Sequence, residues 1–217
     1  MRPMRILGLA FVVLAFITAI YVYPQLPEQM ASHWNIEGKV DGYMPKTIGL
    51  FFMPILVAIV YALFIYLPKL DPLKANYKSF MNEYDMMIAL VIGFFYYVYL
   101  LTLAFNVGYS FDMVQFLSPA FGILFYVMGI IVGKAKQNWF VGIRTPWTLS
   151  SEKVWEKTHK ICGDLFRAAG IVAFLGLAFP KIMFVASIAI LVATSIFGIV
   201  YSYIEFGKEK RGKRKLE

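Results

Sequence analysis

Two histidines, one cysteine and two stretches of mixed polar and aromatic residues hold most of the chemistry available to this 217-residue chain. His33 stands in Ser32-His33-Trp34-Asn35, with Glu37 and Asp41 close behind. An imidazole and two carboxylates at this range admit a divalent-metal site, a pH-sensitive contact or a hydrogen-bonded turn. The spacing is irregular and no second histidine follows. A turn histidine, or one that touches a ligand or partner, therefore fits better than a metal ligand, and no metal is expected. The second stretch, Asn138 to Lys160, carries three of the four tryptophans. Its Ser150, Ser151 and His159 have the residue types of a nucleophile and a base. No oriented base or oxyanion site accompanies them, and serines at a helix start commonly cap. No catalytic residue is assigned and no cofactor is expected. Ser150 is read as the cap of a helix with Glu152 in its first turn, where the helix dipole favours a negative charge. Trp155 and His159, four residues apart, share a face of that helix. Val154, Thr158, Ile161 and Leu165 form an apolar stripe beside them. This pattern predicts a short amphipathic helix lying on the inner membrane surface. Arg144 precedes Thr145-Pro146 in extended backbone, its guanidinium free to meet a carboxylate or phosphate. Cys162 has no partner for an intramolecular disulfide and reads as a buried thiol.

The elements that must position these residues are membrane helices. The chain is 60% hydrophobic and 16% charged, against about 45–50% and about 25% for soluble domains. Segments 6–23, 47–67, 86–105, 113–133 and 182–204 contain no Asp, Glu, Lys, Arg or His. Each reaches roughly the 20 residues that a 30 Å hydrocarbon layer demands. The uncharged run 168–179 is shorter; Asp164 and Arg167 at its start can reach the headgroups by snorkelling, so it is read as a sixth span. The fold class expected is an all-α polytopic integral membrane protein with six transmembrane helices and both termini cytoplasmic. With that topology, only Lys39, Lys46 and Lys181 of the 21 Lys and Arg residues fall outside, in accord with the positive-inside rule. The first span lacks a small-residue cleavage site and is read as retained.

Residues 1–67 are read as a two-helix unit with an outer loop, and 68–217 as a four-helix unit with a long cytoplasmic loop and a basic tail. In the outer loop, Asn35 to Gly38 and Asp41-Gly42 look like turns. The tail from Gly207 is read as disordered and near the anionic inner leaflet. No span interior carries an ionisable side chain, which counts against an ion-coupled pump. Pro54 and Pro119 are candidate kinks, and Gly129, Gly170, Gly176 and Gly198 are places where helices can repack.

Two motifs go further than composition. Tyr23-Pro24-x-Leu26-Pro27, then His33-Trp34-Asn35-x-x-Gly38-x-x-Asp41-Gly42 and Lys46, resembles a membrane domain of unknown function. Asn138-x-x-x-Gly142-Ile143-Arg144-Thr145-Pro146-Trp147-Thr148-Leu149, followed by Val154-Trp155-x-Lys157-Thr158-His159, resembles the SdpI family. The namesake of that family is a bacterial immunity protein against a secreted, membrane-active toxin, and it also holds a cytosolic transcriptional repressor at the membrane. The resemblance implies a multi-pass cell-membrane protein that meets a peptide or protein toxin outside and a repressor inside, without direct nucleic-acid binding. It makes His33, Trp34, Asn35, Gly38, Asp41 and Gly42 candidates for the outer contact. Asn138, Gly142, Arg144, Thr145, Pro146, Trp147, Trp155, Thr158 and His159 become candidates for the inner one. The lipid bilayer is the remaining expected partner. A transporter or exporter of a small amphipathic molecule is the alternative, and a membrane-embedded enzyme using His33 or His159 is the third reading.

Overall fold

A computed structural model describes the backbone of residues 2–214 and side chains through residue 212. Lys215, counted above with the basic tail, lies outside the described residues. The chain runs through α1 (Pro3–Val22), β1 (Gln29–Trp34), β2 (Val40–Pro45), α2 (Lys46–Leu70), α3 (Tyr77–Asn106), α4 (Met113–Lys134), α5 (Pro146–Ser150), α6 (Glu152–Phe174) and α7 (Pro180–Arg214). It is an all-α polytopic membrane protein with one small antiparallel hairpin added. Among the described residues, five helices are long and apolar enough to cross a membrane: α1, α2, α3, α4 and α7. Their cause is plain in the sequence. Each is an uninterrupted apolar run, and in lipid a helix satisfies every backbone N–H and C=O within itself.

The sixth segment differs. It comprises the last seven residues of α6, a 23-residue helix whose first half is charged, and the turn that follows. By composition α6 is therefore not one of the five. By path it runs antiparallel to α4 along most of its length. At one end the Trp155 indole Nε1 donates to Ala135 O (2.7 Å); at the other, Gly176 lies against Ser118. Glycines set the spacing between. A Cβ on Gly129 would stand 2.5 Å from Gly163 O, and one on Gly170 would stand 2.7 Å from Gly122 O. The two backbones touch where other residues would hold them apart, the small-residue packing of membrane helices. Gly129 and Gly170, read from sequence as loose points, are tight ones.

Consequently the connections gather at two ends. At one end the hairpin, the α3–α4 turn and the α6–α7 turn come together. Asn106 reaches Ala31 there, and Gln115 Nε2 donates to Leu177 O (3.0 Å). The opposite end holds the chain start, the α2–α3 connection, the 135–151 loop and the end of α7. Arg5 Nε meets the buried Asp85 carboxylate at 2.7 Å, Asn76 Nδ2 donates to Gln137 O (2.8 Å), and Lys157 pairs with Glu205 (2.5 Å). Both ends of the described chain thus share one end of the bundle.

Three expectations change. The helix from Glu152 does not lie flat as a separate surface helix. It continues unbroken to Phe174, because Trp155, His159, Cys162 and the glycines below them bury one face against α4 and the loop. Its cap is Ser151, whose Oγ accepts from Val154 N; the Ser150 hydroxyl instead donates to Pro146 O. Past Gly207 the chain remains helical to Arg214, extending α7 rather than fraying. At 35 residues and about 1.5 Å per residue, α7 is roughly 50 Å long and must project well past a 30 Å hydrocarbon layer.

Candidate functional site

The outer candidates lie on the hairpin. Its strands pair Met30 with Met44 and Trp34 with Val40, with irregular register around His33. The turn between them is an Asn-initiated one. Asn35 Oδ1 accepts from Glu37 N (2.9 Å) and Lys39 N (3.0 Å), while Gly38 takes φ +76°. Asn35 fits because its short amide mimics a backbone carbonyl, and Gly38 because it lacks the Cβ that positive φ would strain. Asp41 and Gly42 are not a second turn. They belong to β2, where Gly42 faces His33 so closely that an added Cβ would stand 2.9 Å from His33 Cβ. This bare position lets the His33 ring lie across the strand and meet Asp41 Oδ1 through Nδ1. Both side chains are exposed, at 71% and 44%. Glu37, also considered beside His33, pairs with Lys39 instead.

Underneath, the hairpin is anchored to α3 and the turn after it. The Asn106 amide accepts from Ala31 N (2.7 Å) and donates to Ala31 O (3.0 Å), completing both bonds of one strand residue. Trp34 sits edge-on to Phe105, with centroids 5.2 Å apart. Asn106 was not among the candidates; an amide directly after the uncharged run 86–105 was the available signal.

The inner candidates divide sharply between builders and exposed residues. Asn138 is fully buried and organises the loop. Its Oδ1 accepts from Phe140 N (2.8 Å) and Val141 N (2.6 Å), and its Nδ2 donates to Lys136 O (2.8 Å) and Val141 O (3.0 Å). Gly142 takes φ +112°. A side chain there would collide with His159 Nε2. His159 is buried, stacked on Trp155 with centroids 3.8 Å apart. Its Nδ1 donates to Trp155 O (2.8 Å) and its Nε2 accepts from Ile143 N (2.9 Å), which fixes a neutral imidazole. Burial pushes its pKa down to about 4, because a charged ring here would lose its solvation. His159 lies outside the predicted span 168–179, near the level of Ala135 where α4 ends. Thr145 caps α5 in a reciprocal box with Thr148, and its hydroxyl also reaches Ser202 on α7 (3.0 Å). Thr158 is buried on α6.

Other candidates face outward. Arg144 is exposed, its Nη1 donating to Trp139 O (2.8 Å). Pro146 is exposed at the start of α5, and Trp147 packs edge-on to Tyr203 of α7, with centroids 5.1 Å apart. Trp139, not among the candidates, is half exposed. Of the hydrolase set, Ser151 donates to Glu209 (2.5 Å) and His159 is spent on backbone. The structure thus does not assemble a nucleophile with a base.

Two residues that sequence reasoning missed tie this loop to the first half of the molecule. Asp71 is buried, accepting from Leu73 N (2.7 Å), Trp139 N (2.9 Å) and the Tyr77 hydroxyl (3.0 Å). Tyr77, the first residue of α3, lies 3.4 Å from Asn138 Oδ1. Asp71-Pro72 reads in sequence as an ordinary turn, and nothing local reveals that a loop 68 positions away closes on it. α3 therefore meets the 135–151 loop with its first residue and the hairpin with its last.

Comparison with known proteins agrees with the two motifs. Residues 134–202 match the SdpI/YfhL protein family, and residues 10–58 match a domain of unknown function, DUF1648. The chain is 27% identical to Immunity protein SdpI of Bacillus subtilis (strain 168) over 211 residues, covering 97% of this chain and 99% of that protein. No solved structure matches. The first match takes in the 135–151 loop, α6 and most of α7, and the second takes in the latter part of α1, the hairpin and the first half of α2, so the chain is similar to the SdpI/YfhL protein family over its C-terminal part and to DUF1648 over its N-terminal part.

Proposed function

We propose that this chain is a cell-membrane immunity protein that protects its host from a secreted, membrane-active toxin and reports the toxin's presence to a cytosolic repressor. The reading is carried by the near end-to-end similarity to an immunity protein, in which both motifs take part. Geometry supports the division of labour. His33 and Asp41 stand exposed on a hairpin at one end, and Arg144, Pro146 and Trp139 stand exposed at the other. Between them α3, 30 residues long with a kink at Phe80 near its start, is bonded to each. In this reading residues 168–179, the last turns of α6 and the turn that follows, form the sixth span, the hairpin is outside, and both chain ends are cytoplasmic.

Toxin shifts such a receptor only if it binds one helix arrangement more tightly than the other. The connection available for that shift runs from Ala31 through Asn106 and α3 to Tyr77, Asp71 and Asn138. The transport alternative draws less support. A crevice of about 560 Å³ lies between α1, α3 and α4, lined by Phe11, Met86, Phe94, Pro119 and Ile123 among others, and no charged side chain lines it.

The test is survival of a toxin-sensitive host expressing the chain, challenged with an Sdp-type toxin, with membrane levels measured by blot. Wild type is expected to protect, and His33→Ala to lose protection at an equal membrane level. Absence of protection by well-expressed wild type would overturn immunity to that toxin. For signalling, Arg144→Ala is expected to keep protection while releasing the repressor from the membrane fraction; unchanged repressor capture would remove Arg144 from that role.

A further inference from the structure

The projecting end of α7 carries a feature that neither toxin nor repressor requires. Ile196, Val200, Tyr203 and Gly207 follow one another at helical spacing, so they share one face. Ile196, Val200 and Tyr203 are 59%, 51% and 60% exposed, and an added Cβ on Gly207 would touch nothing within 4 Å. This apolar stripe leads into a cleft of about 460 Å³ between α5 and α7, whose walls include Trp147, Tyr203, Ile204, Phe206, Lys210 and Arg211. No carboxylate lines it. The nearby Glu205 is already held by Lys157 and Lys208. Among the described residues, Lys210 and Arg211 pair with no carboxylate. The Lys210 ammonium bends back one turn to lie 4.9 Å from the Phe206 ring centroid.

We propose that this cleft binds one anionic phospholipid of the leaflet at that end. Its acyl chains would lie along Ile196 and Val200, and its phosphate would sit between Lys210 and Arg211 against the Trp147–Tyr203 pair. The layout matches a phospholipid in order as well as in charge. Apolar stripe, aromatic pair and cations succeed each other along the helix. Tyr203 and Lys210 are about 10 Å apart along its axis, a distance the backward bend of Lys210 shortens. Aromatic rings with one apolar and one polar edge suit the headgroup boundary, and basic side chains at that depth draw anionic lipid. A soluble phosphate compound would use the cations but not the apolar stripe that continues from the cleft.

The full chain reconstituted in phosphatidylcholine vesicles tests this through tryptophan quenching by lipids with dibrominated chains. Dibrominated phosphatidylglycerol is expected to quench more than dibrominated phosphatidylcholine at equal content, and the excess is expected to vanish in Trp147→Phe. In Lys210→Gln/Arg211→Gln the apparent preference for phosphatidylglycerol should fall, by about fivefold for each cation and about 25-fold for both. Lys74→Gln/Lys78→Gln, at the same end of the bundle, should leave it unchanged. Equal quenching by the two lipids in wild type would overturn the proposal. So would a preference that survives the Lys210 and Arg211 changes, since the charge would then act from elsewhere. If millimolar glycerol 3-phosphate abolished the excess quenching, the cleft would belong to a soluble phosphate compound and the lipid assignment would fail.

Discussion

The hairpin and the 135–151 loop with the start of α6 carry motifs of similar residue types, yet they use them in opposite ways. On the hairpin, His33 and Asp41 point to solvent, and the fixed parts are a turn amide, two glycines and an anchoring asparagine from α3. In the inner loop, Asn138, Thr145, Trp155, Thr158 and His159 are buried. All but Thr158 bond to the backbone and hold it in place, and Arg144, Pro146 and Trp139 are left to face outward. A histidine in one motif is thus presented, and the histidine in the other is consumed by the fold. The lesson concerns the reading of motifs. A buried amide or imidazole that satisfies several backbone groups is as demanding of residue type as a binding contact, because each group left unpaired inside costs free energy.

That contrast can be broken at several points, beginning with the largest effect. Trp155→Ala removes a fully buried indole, its bond to Ala135 O and its stack on His159. The expected loss is about 3–5 kcal/mol, read as a lowered unfolding midpoint in detergent and a decline in membrane level. A stability change below about 1 kcal/mol would mean the inner motif is not the scaffold described.

Acid is the next probe. His159 has a folded pKa of about 4 against about 6.5 unfolded, so only the neutral ring fits. Its contribution is complete above about pH 6.5 and is lost as the pH falls toward 4, because the unfolded chain then binds the proton more readily. At pH 5 the loss is about 2 kcal/mol. The drop in midpoint between pH 7 and pH 5 should shrink in His159→Gln, whose amide oxygen can still accept from Ile143 N. A pH response identical in both proteins would place the titrating group elsewhere.

Asn106→Ala tests the anchor of the hairpin. It leaves Ala31 N–H and C=O without their partners, at a cost of about 1–3 kcal/mol. The effect should be local: faster amide hydrogen exchange at Ala31 and its strand neighbours, with α4 and α6 unchanged. Uniform acceleration across the protein would show that the hairpin is part of the global core. His33→Ala should have the smallest effect on stability, within about 0.5 kcal/mol for an exposed side chain. Its consequence is expected in toxin protection alone, and a large loss of stability would erase the distinction between a presented and a consumed histidine.

How much of this was legible beforehand follows from the range of each interaction. Five spanning helices were readable because lipid imposes a length and an apolar composition on contiguous residues. The Asn35–Gly38 turn was readable because its bonds close within five residues. Asp41-Gly42 misled, since a turn-forming pair also suits a strand position where a neighbouring ring needs room. Ser150 and Ser151 are adjacent, and only the actual helix start selects Ser151. The helical continuation past Gly207 was missed because a charged, glycine-containing end looks unstructured when read without the helix that precedes it.

The sequence alone determined that this protein lives in a membrane, where its apolar helices fall, and which two stretches set it apart. Those properties belong to contiguous residues and to local chemistry. Only the tertiary structure decided which motif residues face outward, that α6 lies along α4 at glycine contact distance, and that Asp71, Tyr77 and Asn106 join α3 to both motifs. These depend on groups brought together from distant parts of the chain, and the spacing of residues along one segment carries no record of what will pack against it.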